Sequence, residues 1–223
     1  FYSEYTSPRR TYQRAEPTVD NRTPQEKLTD GLKRLRAQLA AEENIADYMV
    51  FSDVTIKALA ERMPLMPADL IGIEGLSLVK LAKYYKPILV RVREAKGMKR
   101  TLPNGISDLA TLALFRQGLD VDTIAGMRGM AVSTITRHLC RAYADGEKID
   151  LWQIVPQELY HTVCGLIDSY VSSHQGQPAE TTEEKIENGR NLQEYLSINY
   201  GISQDIYSKV RSMRQVLEAA ENE

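Results

Sequence analysis

From Leu28 onward, apolar residues recur at intervals of three and four along nearly the whole chain. Leu28, Leu32, Leu35 and Leu39 open the pattern, and Ile206, Val210, Met213 and Leu217 close it. That spacing puts each set on one face of a helix. No stretch alternates convincingly with period two, so the pattern predicts an all-α chain with essentially no sheet. Helix starts are marked by side chains able to accept from free backbone N–H groups. Thr23-Pro24-Gln25-Glu26 reads as a capping box with proline at the first helical position. Ser52 caps a helix through Ile56, Leu59 and Ala60 that stops before Pro64. Pro67 opens a short helix through Leu70, and Gly72 and Gly75 bracket a tight turn. A helix is then expected from about Leu76 to Tyr84, and a separate one from Lys86 or Pro87 to Lys96, because proline lacks the N–H that a helix interior uses.

A second module follows the break at Gly97, Pro103, Asn104 and Gly105. One helix is expected from Ile106 to Gln117, ended by Gly118. Asp120 caps a short helix containing Val121, Ile124 and Ala125, the segment Arg128-Gly129-Met130 turns, and another helix runs from about Val132 to Ala144. Ala125, where only a small side chain fits between helices, and Gly129, at a left-handed turn position, give Gly118–Gly146 helix-turn-helix geometry. Leu159 to Tyr170 is again apolar-periodic, and Trp152 is expected in the core of this module. Thr181 with Glu184 reads as a further capping box, and Ser203 caps the last helix. The resulting division is residues 1–22 as a linker or the tail of a preceding domain, 23–98 as a helical bundle, 99–105 as a linker, 106–175 as the helix-turn-helix domain, and 176–223 as a C-terminal helical extension. The short linker predicts adjacent modules without a fixed orientation.

Charge changes this picture because of where it sits. The net charge is only −2. From Lys80 to Arg100, however, eight basic residues face a single acid, Glu94, whereas Glu180, Glu183, Glu184 and Glu187 make the segment after Pro178 acidic. Such asymmetry suggests one face for a polyanion, with a solvated helix flank as the competing reading. Lys80, Lys83 and Lys86, at helical spacing, are the candidate phosphate contacts of the first module. In the second, Ser133, Thr134, Arg137 and Arg141 fall outside the stripe of Val132, Ile135, Leu139 and Tyr143, where they could reach phosphates or base edges. Ala131, at the usual capping position, departs from that pattern. Arg128 and His138 flank the same face, although a partly buried histidine is the alternative. Arg9, Arg10 and Arg14 among Tyr2, Tyr5 and Tyr12 read as a tether that could also touch nucleic acid.

The rest of the chemistry is negative. There is no GxxxxGK[ST] phosphate loop, so no self-contained ATPase is expected. His138, His161 and His174 have no matching nucleophile arrangement, and acid pairs such as Glu42/Glu43 read as surface positions. Cys140 and Cys164 lie in no metal-ligand spacing and are too sparse for a disulfide scaffold, which fits a cytoplasmic protein. No apolar run is long enough to span a membrane. No catalytic residue, metal, cofactor, membrane partner or small-molecule substrate is therefore expected. The chain opens on Phe1, which suggests a piece of something longer.

Two segments resemble known families. Leu32 to Val92, with LAAEENIADYMVFSD and LIGIEGLSLVKLAKY, resembles the HRDC domain. Ile106 to about Tyr170, with ALFRQGLDVDTIAGMRGMAVSTITRHLCRAYADGEKIDL, resembles the helix-turn-helix domain appended to some bacterial RecQ-type and related helicases, and GISQDIYSKVRSMRQVL looks like the end of the same region. The resemblance implies an accessory region of an ATP-dependent DNA helicase. Such a region binds single-stranded or structured DNA during repair or recombination, while ATP and Mg belong to a motor outside this sequence. Matched by position, it points to Tyr48 before VFSD and to Lys33, Arg36, Lys80 and Lys83 as DNA contacts. Ser77 and Glu74 depart from the GVG form of phosphate-binding hairpins. A protein-interaction module, a sequence-specific DNA-binding regulator, and a ribonuclease context for the first module remain as alternatives.

Overall fold

The computed structural model describes residues 21–173 and 182–221. Among these residues the chain is helical throughout, with no strand. The arginines and tyrosines of the tether, Thr181 and His174, and the side chains of Glu183 and Glu184, lie outside what is described.

The first module is built from α1 (Pro24–Glu43), α2 (Asp47–Val50), α3 (Asp53–Arg62), a 3-10 turn (Pro67–Leu70) and α4 (Leu78–Ala95). The capping box forms: Glu26 N donates to Thr23 Oγ1 (3.2 Å) and Thr23 N to Glu26 Oε2 (2.7 Å). Ser52 likewise accepts from Thr55 N at 3.2 Å. Leu28, Leu32 and Leu35 are buried against α3 and α4, as their spacing predicts.

The expectation of two helices around Pro87 needs correcting. α4 runs unbroken through it. Proline inside a helix costs about 3 kcal/mol. Tyr84, Tyr85, Ile88 and Leu89 on either side are all buried, and each large apolar side chain taken out of water returns about 1.5–3 kcal/mol. Burial on that scale outweighs the lost hydrogen bond.

The second module comprises α5 (Ile106–Phe115), α6 (Val121–Arg128), α7 (Val132–Ala144), α8 (Gln157–Ser173), α9 (Thr182–Tyr200) and α10 (Gln204–Glu221). Asp120 caps α6 through Thr123 N at 2.8 Å, and Gly129 takes the left-handed conformation (φ +59°) between α6 and α7. Ala131 precedes α7 without a side-chain cap. The most extensive helix pairing among the described residues is α10 on α7. With α5 and α6 also against it, α7 buries Thr136, Cys140 and Ala142 beyond the expected stripe. Lys209 reaches Asp122 of α6 (2.8 Å), and Arg214 reaches Asp168 of α8 (2.7 Å). Trp152 corrects a second expectation. It is 36% exposed at the margin, edge-on to Tyr160 with ring centroids 5.5 Å apart.

The modules do not lie loosely side by side. α4 packs on α1 with one face and on α5 and α6 with another. Consecutive tyrosines, pointing about 100° apart, serve the two sides. Tyr84 OH donates to Glu43 at the end of α1 (2.9 Å), and Tyr85 OH accepts from Arg128 at the end of α6 (2.9 Å). The connecting segment is pinned as well: Arg93 Nε donates to Lys99 O at 2.9 Å, and Arg100 pairs with Glu94.

Candidate nucleic-acid interface

In the first module the sequence-selected residues separate into surface groups and structural groups. Tyr48 is 71% exposed on α2, next to Met49, also exposed. An unstacked tyrosine ring on a four-residue helix is available to a base. Lys80 and Lys86 on α4 face solvent, fully or in part, and Lys86 Nζ stands 5.9 Å from the centre of the Tyr85 ring. Lys33 is exposed on the α1–α3 side, beside Asp53, Lys57 and Glu61.

Two others are engaged elsewhere. Arg36 keeps only 15% of its side chain exposed. It donates to Asp53 Oδ1 (2.7 Å) and Phe51 O (3.3 Å) and lies 3.9 Å from Asp47, so it ties α1 to the start of α3 rather than facing a ligand. Lys83 Nζ sits 2.5 Å from Glu43 Oε2. That hydrogen bond holds Glu43 below and Lys83 above their ordinary pKa values, so the pair stays charged and largely neutral in sum. The turn preceding α4 is packed rather than open. Ser77 caps the helix through Lys80 N at 3.3 Å, and Gly75 (φ +75°) lies so close to α3 that an added Cβ would fall 2.2 Å from Thr55 Oγ1.

In the second module Ser133, Arg137 and Arg141 form an exposed row on α7 at intervals of four, with Thr134 half-buried beside it. Arg137 has no ion pair among the described residues. Arg141 remains 55% exposed while pairing with Asp108 Oδ2 at 3.5 Å. Arg128 and His138 are corrections to the sequence reading. His138 is 6% exposed: Nε2 is 3.2 Å from Asp108 Oδ1, and Nδ1 is 2.9 Å from Thr111 Oγ1. A neutral ring with its proton on Nε2 satisfies both neighbours, donating to the carboxylate and accepting from the hydroxyl. Burial first, and then Arg128, Arg141 and Arg137, push its pKa below 6.5 against the opposing pull of Asp108. Arg128 donates to Ser107 O and Ser107 Oγ (2.9 Å each), to Thr111 Oγ1 and to Tyr85 OH, with its guanidinium 5.4 Å from the Tyr85 ring centre.

The sequence reading missed Tyr85, Ser107, Asp108 and Thr111, which hold these two groups. The available signal was Thr111 within the apolar run LATLALF. A hydroxyl in a buried run requires a polar partner.

Comparison with known proteins assigns both modules. Residues 25–92 match the HRDC domain, and residues 107–194 match a helix-turn-helix domain. The chain carries an HRDC domain followed by a helix-turn-helix domain. Among curated proteins it is similar to the ATP-dependent DNA helicase RecQ of Haemophilus influenzae, 33% identical over 73 residues, which is 33% of this chain and 12% of that protein. The Bacillus subtilis protein of the same name is 31% identical over 71 residues, 32% of this chain and 12% of the relative. The ATP-dependent DNA helicase UvrD2 of Mycobacterium tuberculosis is 41% identical over 68 residues, 30% of this chain and 10% of the relative. The chain thus spans about a tenth of the length of the curated relatives it matches. No solved structure matches significantly. Among the described residues no cluster of three His, Cys, Asp or Glu side chains could hold a metal ion, and no helix is long and apolar enough to cross a membrane.

Proposed function

We propose that this chain is an accessory nucleic-acid-binding region of an ATP-dependent DNA helicase, which positions single-stranded or structured DNA for a motor outside this sequence. One observation carries the reading: an HRDC domain is followed directly by a helix-turn-helix domain in a chain that is similar over part of its length to two differently named DNA helicases, and Lys80, Lys86 and Arg137 have no ion pair among the described residues. Lys80 and Lys86 on the first and Arg137 on the second are the contacts proposed for phosphates, with Ser133 and Thr134 beside Arg137. Tyr48 supplies the ring on which a base stacks.

No reacting group is assigned. Glu43 with Lys83 and His138 with Asp108 bond neighbouring elements together, and the burial of His138 keeps it from solvent. ATP and Mg chemistry, repair and recombination belong to the proposed parent protein.

The test is anisotropy binding of labelled single-stranded, duplex and forked DNA, beside a Lys80→Ala/Lys86→Ala/Arg137→Ala variant. Salt-sensitive binding favouring single strands or forks, lost in the variant, is the expected outcome. Absence of binding at low salt would refute the nucleic-acid reading and leave protein partners as the function.

A further inference from the structure

We propose that the two domains present one continuous cationic track to a single nucleic-acid strand that crosses both, with Arg128 as the positioning residue that fixes their alignment. The inference rests on the nucleic-acid reading above and adds to it the shape of the bound partner.

The contacts run without a break from one domain to the other. Lys86 Nζ and the Arg128 guanidinium stand 5.9 and 5.4 Å from the centre of the same Tyr85 ring. Arg128 approaches His138 Nδ1 at 3.5 Å. His138 meets Asp108 at 3.2 Å, and Asp108 meets Arg141 at 3.5 Å, one turn along α7 from Arg137. This chain of contacts connects Lys86 of the HRDC domain, across the seam at Tyr85 and Arg128, to the exposed Arg137–Arg141 row of the helix-turn-helix domain. The one carboxylate on this path, Asp108, is held by His138 and Arg141.

The seam is rigid by construction. Arg128 donates to groups of α4 and α5 at once, and a planar guanidinium with several donors satisfied loses its alignment only by leaving them all. The cations themselves stand on different helices, α4 and α7. A flexible single strand follows such a surface more readily than a straight duplex, and a strand touching both faces gains because the second contact is intramolecular.

The experiment compares a single strand of about 8 nucleotides, within the footprint of one small binding domain, with one about three times as long, on the full chain by anisotropy. A longer strand gains some affinity merely by offering more registers, and that gain survives loss of either face. The bridging gain does not. The ratio of long-strand to short-strand affinity is expected to fall about tenfold in Lys86→Ala and equally in Arg137→Ala, both exposed positions that leave folding intact. Arg128→Ala is expected to lower the ratio in the same way, with its fold checked by far-UV circular dichroism. If the ratio survives in both single-face variants, the track is overturned while nucleic-acid binding stands. If the wild-type chain binds neither strand, the underlying reading itself is refuted.

Discussion

Arg128 closes α6 yet directs its guanidinium to Tyr85 on α4 and to Ser107 and Thr111 on α5. Deleting it leaves several half-buried acceptors unpaired. Arg128→Ala is therefore expected to cost about 1–3 kcal/mol in a urea melt, whereas an exposed cation such as Lys33→Ala changes the midpoint little. His138 adds a pH dependence. The unfolded chain titrates it near 6.5, and the folded chain at a lower value set first by burial, then by Arg128, Arg141 and Arg137 against Asp108. Between those values the unfolded state holds more protons, so stability is present above about 6.5 and falls as pH drops through the window. Melting temperature measured from pH 7 to pH 5 should decline, and the decline should flatten in His138→Gln. Gly75 adds a backbone constraint. A left-handed backbone and a Cβ position overlapping Thr55 Oγ1 mean that Gly75→Ala destabilises by about 1–3 kcal/mol.

Among the elements, α4 has the widest set of duties. It carries the tyrosines that reach both modules, and its core residues Leu81, Ile88, Leu89 and Val92 have no exposed surface. Leu89→Ala is expected to cost about 2–5 kcal/mol by chemical denaturation. Ser52→Ala, which removes the α3 cap and its bond to Thr55 Oγ1, should cost about 1 kcal/mol. The caps at Thr23, Ser52 and Asp120 and the turn at Gly129 were legible in the sequence because each depends on a few adjacent residues. Continuation of α4 through Pro87 was not. The local penalty of proline is visible in sequence, whereas the compensating burial of Tyr84 and Tyr85 comes from helices far along the chain. The wide burial of α7 was hidden for the same reason, since α10 lies 60 residues further on. Candidate contacts fared according to their neighbours. Lys80, Lys86 and Arg137 sit at the surface as their helical positions imply. Arg36, Arg128 and His138 were drawn inward by Asp53, Tyr85 and Asp108, and no spacing rule announces those partners.

In the whole molecule, a net charge of −2 coexists with exposed cations on α4 and α7, helices of two domains that pack together through α4. The proposed hold of these cations on a phosphate backbone is tested by the salt dependence of affinity for a labelled single strand. Log affinity should fall linearly with log salt, by about 0.7 per phosphate neutralised. Removing Lys86 or Arg137 should shallow that slope by roughly one contact each. Affinity that does not change with salt, or a slope unmoved by both substitutions, would contradict the claim.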